Sequence, residues 1–311
     1  MRILHSLTAP PLAEETVLTV GTFDGIHRGH QHLIHQLVRR ARDTGRLSAA
    51  LTFYPHPRAV LQPESPPRYL SSPEERAALL NEMGVDVLVQ LPFTPELAAT
   101  SAAGLVADLM GALRMKELWV GAGFSMGRRR EGTTDQLRAL SAEKGFELRI
   151  IEPLLDDGEP ISSTRIRNLL MDGRVREAGR LLGRPYTLSG MVAAGAHRGR
   201  SLGFRTANLP VDPTRAAPRD GVYVVQAVTE DGRRGGVANI GVRPSFDAGE
   251  RLLEVHVFDY RGDLYGRRMA VEFVEWLRPE LRFDSPTELS AQIAQDVERA
   301  REILGAPEVD G

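Results

Sequence analysis

His27 and His30, inside the run Thr22-Phe23-Asp24-Gly25-Ile26-His27-Arg28-Gly29-His30, are the first residues whose types and spacing could do chemistry. A glycine-flanked turn where a strand meets a helix lets backbone N–H groups approach a phosphate. Two histidines in H-x-G-H can then donate hydrogen bonds to a phosphate whose charge grows in a transition state. A lone histidine would suit an ordinary strand–turn–helix connection with a solvated ring. The whole nonapeptide at this position favours a phosphate site.

Two further pieces agree with it. In Ile161-Ser162-Ser163-Thr164-Arg165-Ile166-Arg167, Ser163 or Thr164 can cap the helix whose apolar positions are Ile166, Leu169 and Leu170. Its N-terminus is then a second anion site with Arg167 in reach, although alone it would read as a plain cap. His56, in Thr52-Phe53-Tyr54-Pro55-His56-Pro57, falls at the end of the second apolar run, where ligands bind. Its two prolines could equally serve to rigidify a turn.

The second half carries a different constellation. The stretch Gly195-Ala196-His197-Arg198-Gly199-Arg200-Ser201-Leu202-Gly203-Phe204-Arg205-Thr206-Ala207-Asn208 has glycines spaced to let a loop close over phosphates. Thr206 and Asn208 are two apart, so on an extended segment their oxygens face one side. Hard oxygen ligands supplemented by nucleotide phosphates suit Mg²⁺. A hydrogen-bonding loop pair is the plainer use of the same two residues.

These residues must be positioned by two architectures. Up to about residue 152, apolar runs at 16–23, 47–53, 85–91, 117–121 and 146–151 alternate with helical periods. Leu33, Ile34, Leu37, Val38 and Ala41 make one helical face, closed by Gly45. Ser72-Pro73-Glu74-Glu75 opens another helix that stops at Gly84. Such alternation implies a parallel sheet with helices on both faces, with ligands beyond the strands' carboxyl ends. After Gly183-Arg184-Pro185 the pattern becomes alternating strands at 186–193, 222–228, 236–242, 252–258 and 269–276. That implies an antiparallel barrel or sandwich. A last helix, opened by Ser285-Pro286-Thr287-Glu288 and carrying Leu289, Ile293, Val297, Ala300 and Leu304, should pack on it and cover an edge. The boundary falls near residues 183–187, giving domains 1–183 and 187–305.

Composition narrows the chemistry. At 311 residues, the chain exceeds the usual domain length of about 100–200. With 42% hydrophobic and 26% charged residues it is not a disordered chain. A net charge of −2 leaves no basic footprint for duplex nucleic acid. The absence of cysteine removes disulfides, thiolate metal sites and cysteine nucleophiles, and fits a reducing compartment. All but two of the 39 Lys and Arg residues are arginine. Lys116, read as following a helix end, and Lys144 both lack a Walker context, so phosphate binding falls to backbone N–H groups, His, Arg or a metal. The N-terminus has no apolar region suited to a secretory signal, and the charge-free apolar stretch at 97–107 is too short to cross a bilayer. A soluble, cytoplasmic, two-domain protein is expected.

The H-x-G-H and S-x-x-x-R-type elements together resemble the nucleotidyltransferase superfamily. T-F-D-G-I-H-R-G-H-Q at 22–31 and T-F-Y-P-H-P at 52–57 look more specifically like the adenylyltransferase half of the bacterial bifunctional riboflavin kinase/FMN adenylyltransferase (FAD synthetase) family. The 195–208 stretch resembles the riboflavin kinase signature G-x-[GR]-x-x-G-F-P-T-A-N. Gly221-Val222-Tyr223, Asn239-Ile240-Gly241-Val242-Arg243-Pro244-Ser245-Phe246, Leu253-Glu254-Val255-His256, Asp263-Leu264-Tyr265-Gly266 and Leu277-Arg278-Pro279 continue the likeness in the family's order.

The resemblance implies an α/β nucleotidyltransferase-like parallel-sheet domain, then a six-stranded antiparallel β-barrel domain with a C-terminal helix. It implies phosphorylation of riboflavin to FMN, then attack of the FMN phosphate on the α-phosphorus of ATP, expelling pyrophosphate. His27 and His30 would stabilise the pentavalent phosphorus, while Ser163, Thr164 and Arg167 hold the β and γ phosphates. Gly21, Phe23, Asp24, Gly29, Gly195 and Gly199 complete the ATP and phosphate contacts. His56, Gly123 and Phe124 face the flavin. Thr206 and Asn208 hold Mg²⁺, and Glu254 takes the proton of the ribityl 5′-hydroxyl, a role that kinase chemistry makes sensible. Alternation between Leu253 and Val255 would by itself leave Glu254 a solvent-facing strand residue.

Riboflavin, FMN and ATP are the implied partners, with no nucleic acid, no membrane, and room for a weak homo-oligomer. Three positions depart from the family pattern. Gly123 stands where an acidic or Asn side chain is usual, Met126 replaces an aromatic, and Arg205 replaces the Pro before the metal pair. A monofunctional kinase that has lost flavin binding in its front half rests on Gly123 alone. Retention of His27, His30, Thr206, Asn208 and Glu254 speaks against a flavin-sensing protein with decayed sites. A nucleotidyltransferase for another substrate would leave the barrel unexplained.

Overall fold

Short, continuous apolar runs assemble into a six-stranded parallel sheet in the first of the chain's two units, Met1–Ser163. The structure, a computed structural model, describes residues 1–8, 10–193, 206–242 and 251–305. The first elements are β1 (Arg2–Leu4), β2 (Thr16–Val20), α1 (Arg28–Asp43), β3 (Leu47–Phe53), α2 (Pro57–Leu61), α3 (Pro73–Glu82) and β4 (Val87–Leu91). Next come α4 (Pro95–Ala99), α5 (Ala102–Leu113) and β5 (Met115–Gly121). The short pair β6 (Ser125–Met126) and β7 (Gly132–Thr133) precedes α6 (Thr134–Lys144) and β8 (Glu147–Ile151). A hairpin of β9 (Leu155–Asp156) and β10 (Glu159–Pro160) closes the unit.

The sheet order is β1-β4-β3-β2-β5-β8, with every pair parallel. Alternate strand residues serve opposite faces. Val17, Ala50 and Leu88 join α1 and α3 in one core, while Leu18, Leu51 and Val89 join α5 and α6 in the other. With both faces covered, all five residues of β2 are buried, as a parallel strand requires. From β2 the chain proceeds through β3 and β4 on one side and through β5 and β8 on the other. A topological switch point therefore opens beyond the carboxyl end of β2.

Several boundaries differ from the sequence reading. The first run stops being a strand at Val20, because Phe23 and Ile26 take positive φ values of 46° and 43°. The apolar stretch at 97–107 is divided between α4 and α5, with Ser101 accepting the Gly104 N–H as N-cap. Lys116 does not follow a helix end directly: Arg114, at φ 48°, ends α5, and Lys116 lies within β5, paired with Glu15. Edge strand β1 and helix α2 are too short to leave a periodic signal.

The second unit, Thr164–Gly311, takes most of α7 (Ser163–Met171) and all of α8 (Val175–Leu182). Its strands are β11 (Tyr186–Met191), β12 (Ala207–Pro210), β13 (Gly221–Thr229), β14 (Gly232–Val242), β15 (Arg251–Val257) and β16 (Arg268–Arg278). They pair antiparallel in the order β11-β16-β13-β14-β15-β12, and an Ala193–Asn208 bridge brings the two ends together. The result is a nearly closed barrel, as expected. Tyr186, Tyr223 and Phe273 fill its interior, with Tyr223 edge-on to Phe273 at 5.2 Å. β12 was read as loop because its four residues lie within the phosphate-loop motif.

The C-terminal helix α9 (Pro286–Gly305) corrects one expectation. It packs on the outer face of β13 and β14, in the middle of the sheet, with Ala300 against Val222, Val224, Val237 and Phe258. The edges need no cover because β11 and β12 close on each other. A partly buried Arg278–Asp296 ion pair at 2.6 Å anchors the helix. Helix α8 buries Val175, Ala178, Leu181 and Leu182 and packs on β11 and β16. The two units thus divide at Ser163, whereas the change from helices to strands comes at Gly183, the C-cap of α8.

Candidate active sites

The turn from Gly21 to His30 lies at the switch point, and its backbone is forced into shape. Phe23, Gly25 and Ile26 all have positive φ, and each non-glycine residue so placed costs about 1–3 kcal/mol. Burial of Phe23 and Ile26 in the α1 core offsets that cost. The Asp24 carboxylate points inward and accepts from the N–H groups of Leu70 (3.0 Å) and Ser71 (3.1 Å) and from the Ser71 hydroxyl (3.3 Å). Ser71 Oγ also accepts the Gly25 N–H at 2.8 Å.

His27 is the N-cap of α1, its Nδ1 accepting the His30 N–H at 3.3 Å. The Nδ1 lone pair is therefore engaged, and the neutral ring carries its proton on Nε2. The two imidazoles stack with centroids 3.7 Å apart, and Phe23 stands edge-on to His30 at 5.2 Å. Burial, and then the charge of His27, hold the His30 pKa well below the ordinary histidine value. Its Nδ1 is buried and has no partner among the described residues. Two close, neutral, preoriented imidazoles can donate to an anion without paying for reorganisation. Gly29 is tightly placed: a Cβ there would sit 3.2 Å from the His27 ring.

Ser163 and Thr164 lie inside α7 and do not cap it. The Ser163 hydroxyl instead donates to the carbonyl of Asp24 at 2.9 Å. Exposed Thr164 and half-buried Arg167 follow on the same helix, whose Ile166, Leu169 and Leu170 are buried as expected. His56 is the N-cap of α2, its Nδ1 accepting the Arg58 N–H and its own N–H donating to the Tyr69 hydroxyl at 2.8 Å. Gly123, exposed, and Phe124, half-buried, follow β5. Strands β3 and β5 flank β2, so His56 and Gly123 stand at the same sheet edge as the histidine turn. One residue of this edge escaped the sequence reading: Arg76 of α3, whose Nη1 donates to the Thr22 carbonyl at 2.9 Å.

In the second unit, Glu254 on β15 is paired across the sheet with Asn208 of β12 on one side and Asn239 of β14 on the other. Directly opposed residues share a face, so three polar side chains form a row. Leu253 and Val255, fully buried, point the other way. The Nδ2 of Asn239 donates to Glu280 at 3.0 Å, and its Oδ1 is buried with no partner among the described residues. Glu280 also lines a cavity of about 430 Å³ with Arg219, Asp220, Arg251 and Met171. Among the described residues no three His, Asp or Glu side chains cluster as a metal site, so a cation here would depend on neutral oxygens and on ligand phosphates. Thr206 is half-buried and Asn208 almost fully buried at the start of β12. Gly195, Gly199, Arg205 and the 243–246 motif lie outside the described residues. Asn239 and Glu280 were not assigned roles from sequence, since only strand register brings Asn239 beside Glu254.

Known proteins match both halves. A FAD synthetase family model covers residues 9–165 and a riboflavin kinase model covers 182–304. The bifunctional riboflavin kinase/FMN adenylyltransferase of Pseudomonas fluorescens is 40% identical over 309 residues, covering 99% of this chain and 98% of its own. That of Escherichia coli K12 is 38% identical over 98% of this chain and 97% of its own. A solved structure from Streptococcus pneumoniae, described as a macrolide-efflux protein, superimposes with a TM-score of 0.89 at 32% identity, covering 96% of this chain and 98% of that one. Among the described residues no helix is long and apolar enough to cross a membrane.

Proposed function

The chain belongs to the bifunctional riboflavin kinase/FMN adenylyltransferase family, and from that premise we propose how its residues share out the two reactions. The enzyme uses ATP to phosphorylate riboflavin to FMN and adenylylates FMN to FAD with release of pyrophosphate.

In adenylyl transfer an FMN phosphate oxygen bonds to the α-phosphorus of ATP as the bond to pyrophosphate breaks. His27, through Nε2–H, and His30 donate to the oxygens that gain charge. Gly21, Phe23, Asp24 and Gly29 shape the turn whose amides approach the phosphates, Asp24 by tying down backbone with its carboxylate. Ser163, Thr164 and Arg167 are assigned to the β and γ phosphates, and His56, Gly123 and Phe124 to the flavin. The observation that carries this reading is the stacked His27–His30 pair heading α1 at the switch point.

In the kinase reaction Glu254 accepts the ribityl 5′-hydroxyl proton as that oxygen attacks the γ-phosphorus of ATP and ADP leaves. Thr206 and Asn208 offer hard neutral oxygens beside Glu254, and the orphaned Asn239 oxygen adds another, so the donor set fits Mg²⁺. Bound there with ATP, the ion would neutralise charge on the transferring phosphoryl group. Gly195 and Gly199 are assigned to ATP on the sequence motif. Working domains of 1–183 and 187–305, a cytoplasmic location and at most weak self-association complete the proposal.

The test is purified full-length protein with riboflavin, ATP and Mg²⁺, followed by chromatography. FMN should appear first and FAD after it. FMN accumulating without FAD would remove the adenylyl-transfer assignments and leave those of the barrel.

A further inference from the structure

Arg76 is among the largest fully buried side chains of the described protein, at 2% exposure, yet no carboxylate lies within ion-pairing distance. Its Nη1 donates to the Thr22 carbonyl at 2.9 Å and approaches Thr52 Oγ1 at 3.4 Å. The guanidinium lies 5.9 Å from the centroid of the Tyr69 ring. Nη2 is buried and has no partner among the described residues. Burial weakens the hold of the guanidinium on its proton, and the field of Asp24 is the main opposing influence. The Asp24 carboxylate is itself engaged by Leu70 and Ser71, so it compensates Arg76 only from a distance.

A buried cation without a paired anion is costly, and here the local structure does not depend on it. The Thr22 carbonyl also accepts the Thr52 hydroxyl at 2.9 Å. The Ser72 carbonyl, which Arg76 Nε reaches only at 3.5 Å, already accepts the Arg76 backbone N–H at 3.0 Å. Removing the guanidinium would leave neither oxygen without a donor. Its location is the informative part. Thr22 and Thr52 sit at the carboxyl ends of neighbouring strands β2 and β3, and Thr22 leads directly into the turn that presents His27 and His30. Sites that bind anions are where uncompensated buried positive charge has a use.

We propose that Arg76 is a positioning residue for adenylyl transfer, a fixed positive charge beneath the β2–α1 turn that strengthens its hold on substrate phosphate. This rests on the reading of that turn as the nucleotide site. Phosphate chemistry is shared by ATP and FMN, so the two must be separated by experiment.

Full-length wild type, Arg76→Met and Arg76→Lys are compared by calorimetric titration with ATP, pyrophosphate and FMN, and by thermal melting without ligand. Arg76→Met should melt at the wild-type temperature or above, because it replaces an uncompensated charge with an apolar chain. Its affinity for at least one phosphate ligand should fall by about tenfold, the scale of one charge acting through protein dielectric. Arg76→Lys, which keeps the charge, should bind close to wild type. Loss confined to ATP and pyrophosphate assigns the charge to the triphosphate, and loss confined to FMN assigns it to the flavin phosphate. Riboflavin phosphorylation should be unchanged in both variants. Equal affinity in wild type and Arg76→Met overturns the proposal, as does equal loss in Met and Lys, which would mark a role of shape. A wild-type protein that binds none of the three ligands overturns the nucleotide-site reading beneath it.

Discussion

Ser163 at the start of α7 donates a hydrogen bond of 2.9 Å to the carbonyl of Asp24, a residue 139 positions earlier. The same Asp24 holds the backbone of Leu70 and Ser71 through its carboxylate. One residue thus joins three distant segments around the turn that ends in His27. Asp24 matters here for what it holds in place, and its carboxylate is unavailable to a phosphate.

Ser163→Ala should therefore weaken FAD formation by positioning alone. The lost hydrogen bond is worth about 1 kcal/mol, which corresponds to roughly a tenfold change in rate if it is felt fully in the transition state. FMN formation should be unaffected, and Ser163→Thr, which retains a hydroxyl, should recover most of the activity. Separate assays with riboflavin and with FMN give the answer. Equal loss in both reactions would point to a folding defect.

His30→Ala should slow FAD formation by about two to three orders of magnitude, the usual cost of one transition-state donor, and leave FMN formation intact. The buried, neutral ring also has a signature in stability. Its folded pKa is depressed, so above the ordinary value near 6.5 both states are neutral and nothing depends on pH. Below that value the unfolded chain takes up a proton that the folded ring resists, so stability falls as the pH drops. Melting curves between pH 7.5 and 5 should show a steeper decline for wild type than for His30→Gln. Parallel curves would show that the ring titrates normally.

The parts of this site visible in the sequence are those whose partners lie nearby in the chain. Three residues separate His27 from His30, and a helix start turns that interval into a stacked pair. The role of Asp24 depends on backbone 46 residues away, and that of Arg76 on a carbonyl 54 residues away, so no local pattern announces either. Asn239 was quoted for its motif but gained a place beside Glu254 only from the register of β14 against β15. Helix α8 has a clear amphipathic period, yet periodicity cannot say whether its apolar face meets the parallel sheet or the barrel.

That last ambiguity can be tested with two fragments. A fragment beginning at Thr164 keeps α8, whereas one beginning at Arg184 strips Val175, Leu181 and Leu182 from β11 and β16. Each buried leucine contributes about 1.5–3 kcal/mol, so the shorter fragment should melt well below the longer one. The longer fragment should retain riboflavin phosphorylation and make no FAD. Equal melting temperatures would show that α8 is dispensable to the barrel.

Gly123 invites the opposite kind of change, a gain. A Cβ at this position meets no atom within 4 Å, and its backbone does not adopt the conformation reserved for glycine. Gly123→Asn should therefore fold normally and restore a polar side chain at the flavin edge. The KM for FMN in FAD synthesis should fall, with kcat and the riboflavin reaction little changed. An unchanged KM would mean that residue 123 does not face the flavin.

Glu254 is the most demanding case, because its neighbours allow a bland alternative. It stands in a row with Asn208 and Asn239, and a carboxylate between two amides could simply be a cross-strand partner. Glu254→Gln preserves size and hydrogen-bonding capacity and removes only the charge and the basicity. A base acting on the ribityl hydroxyl contributes about 10²–10⁴-fold, so riboflavin phosphorylation should drop by that range while riboflavin binding stays near wild type. FAD production from supplied FMN should survive, since that chemistry is assigned to His27 and His30. Turnover on each substrate, measured separately alongside riboflavin affinity, distinguishes the cases. Full kinase activity would make Glu254 a strand residue and leave the reaction to metal and positioning. Weak riboflavin binding at normal kcat would assign it to substrate orientation. Only a fall in kcat at unchanged affinity fits a carboxylate that moves the proton.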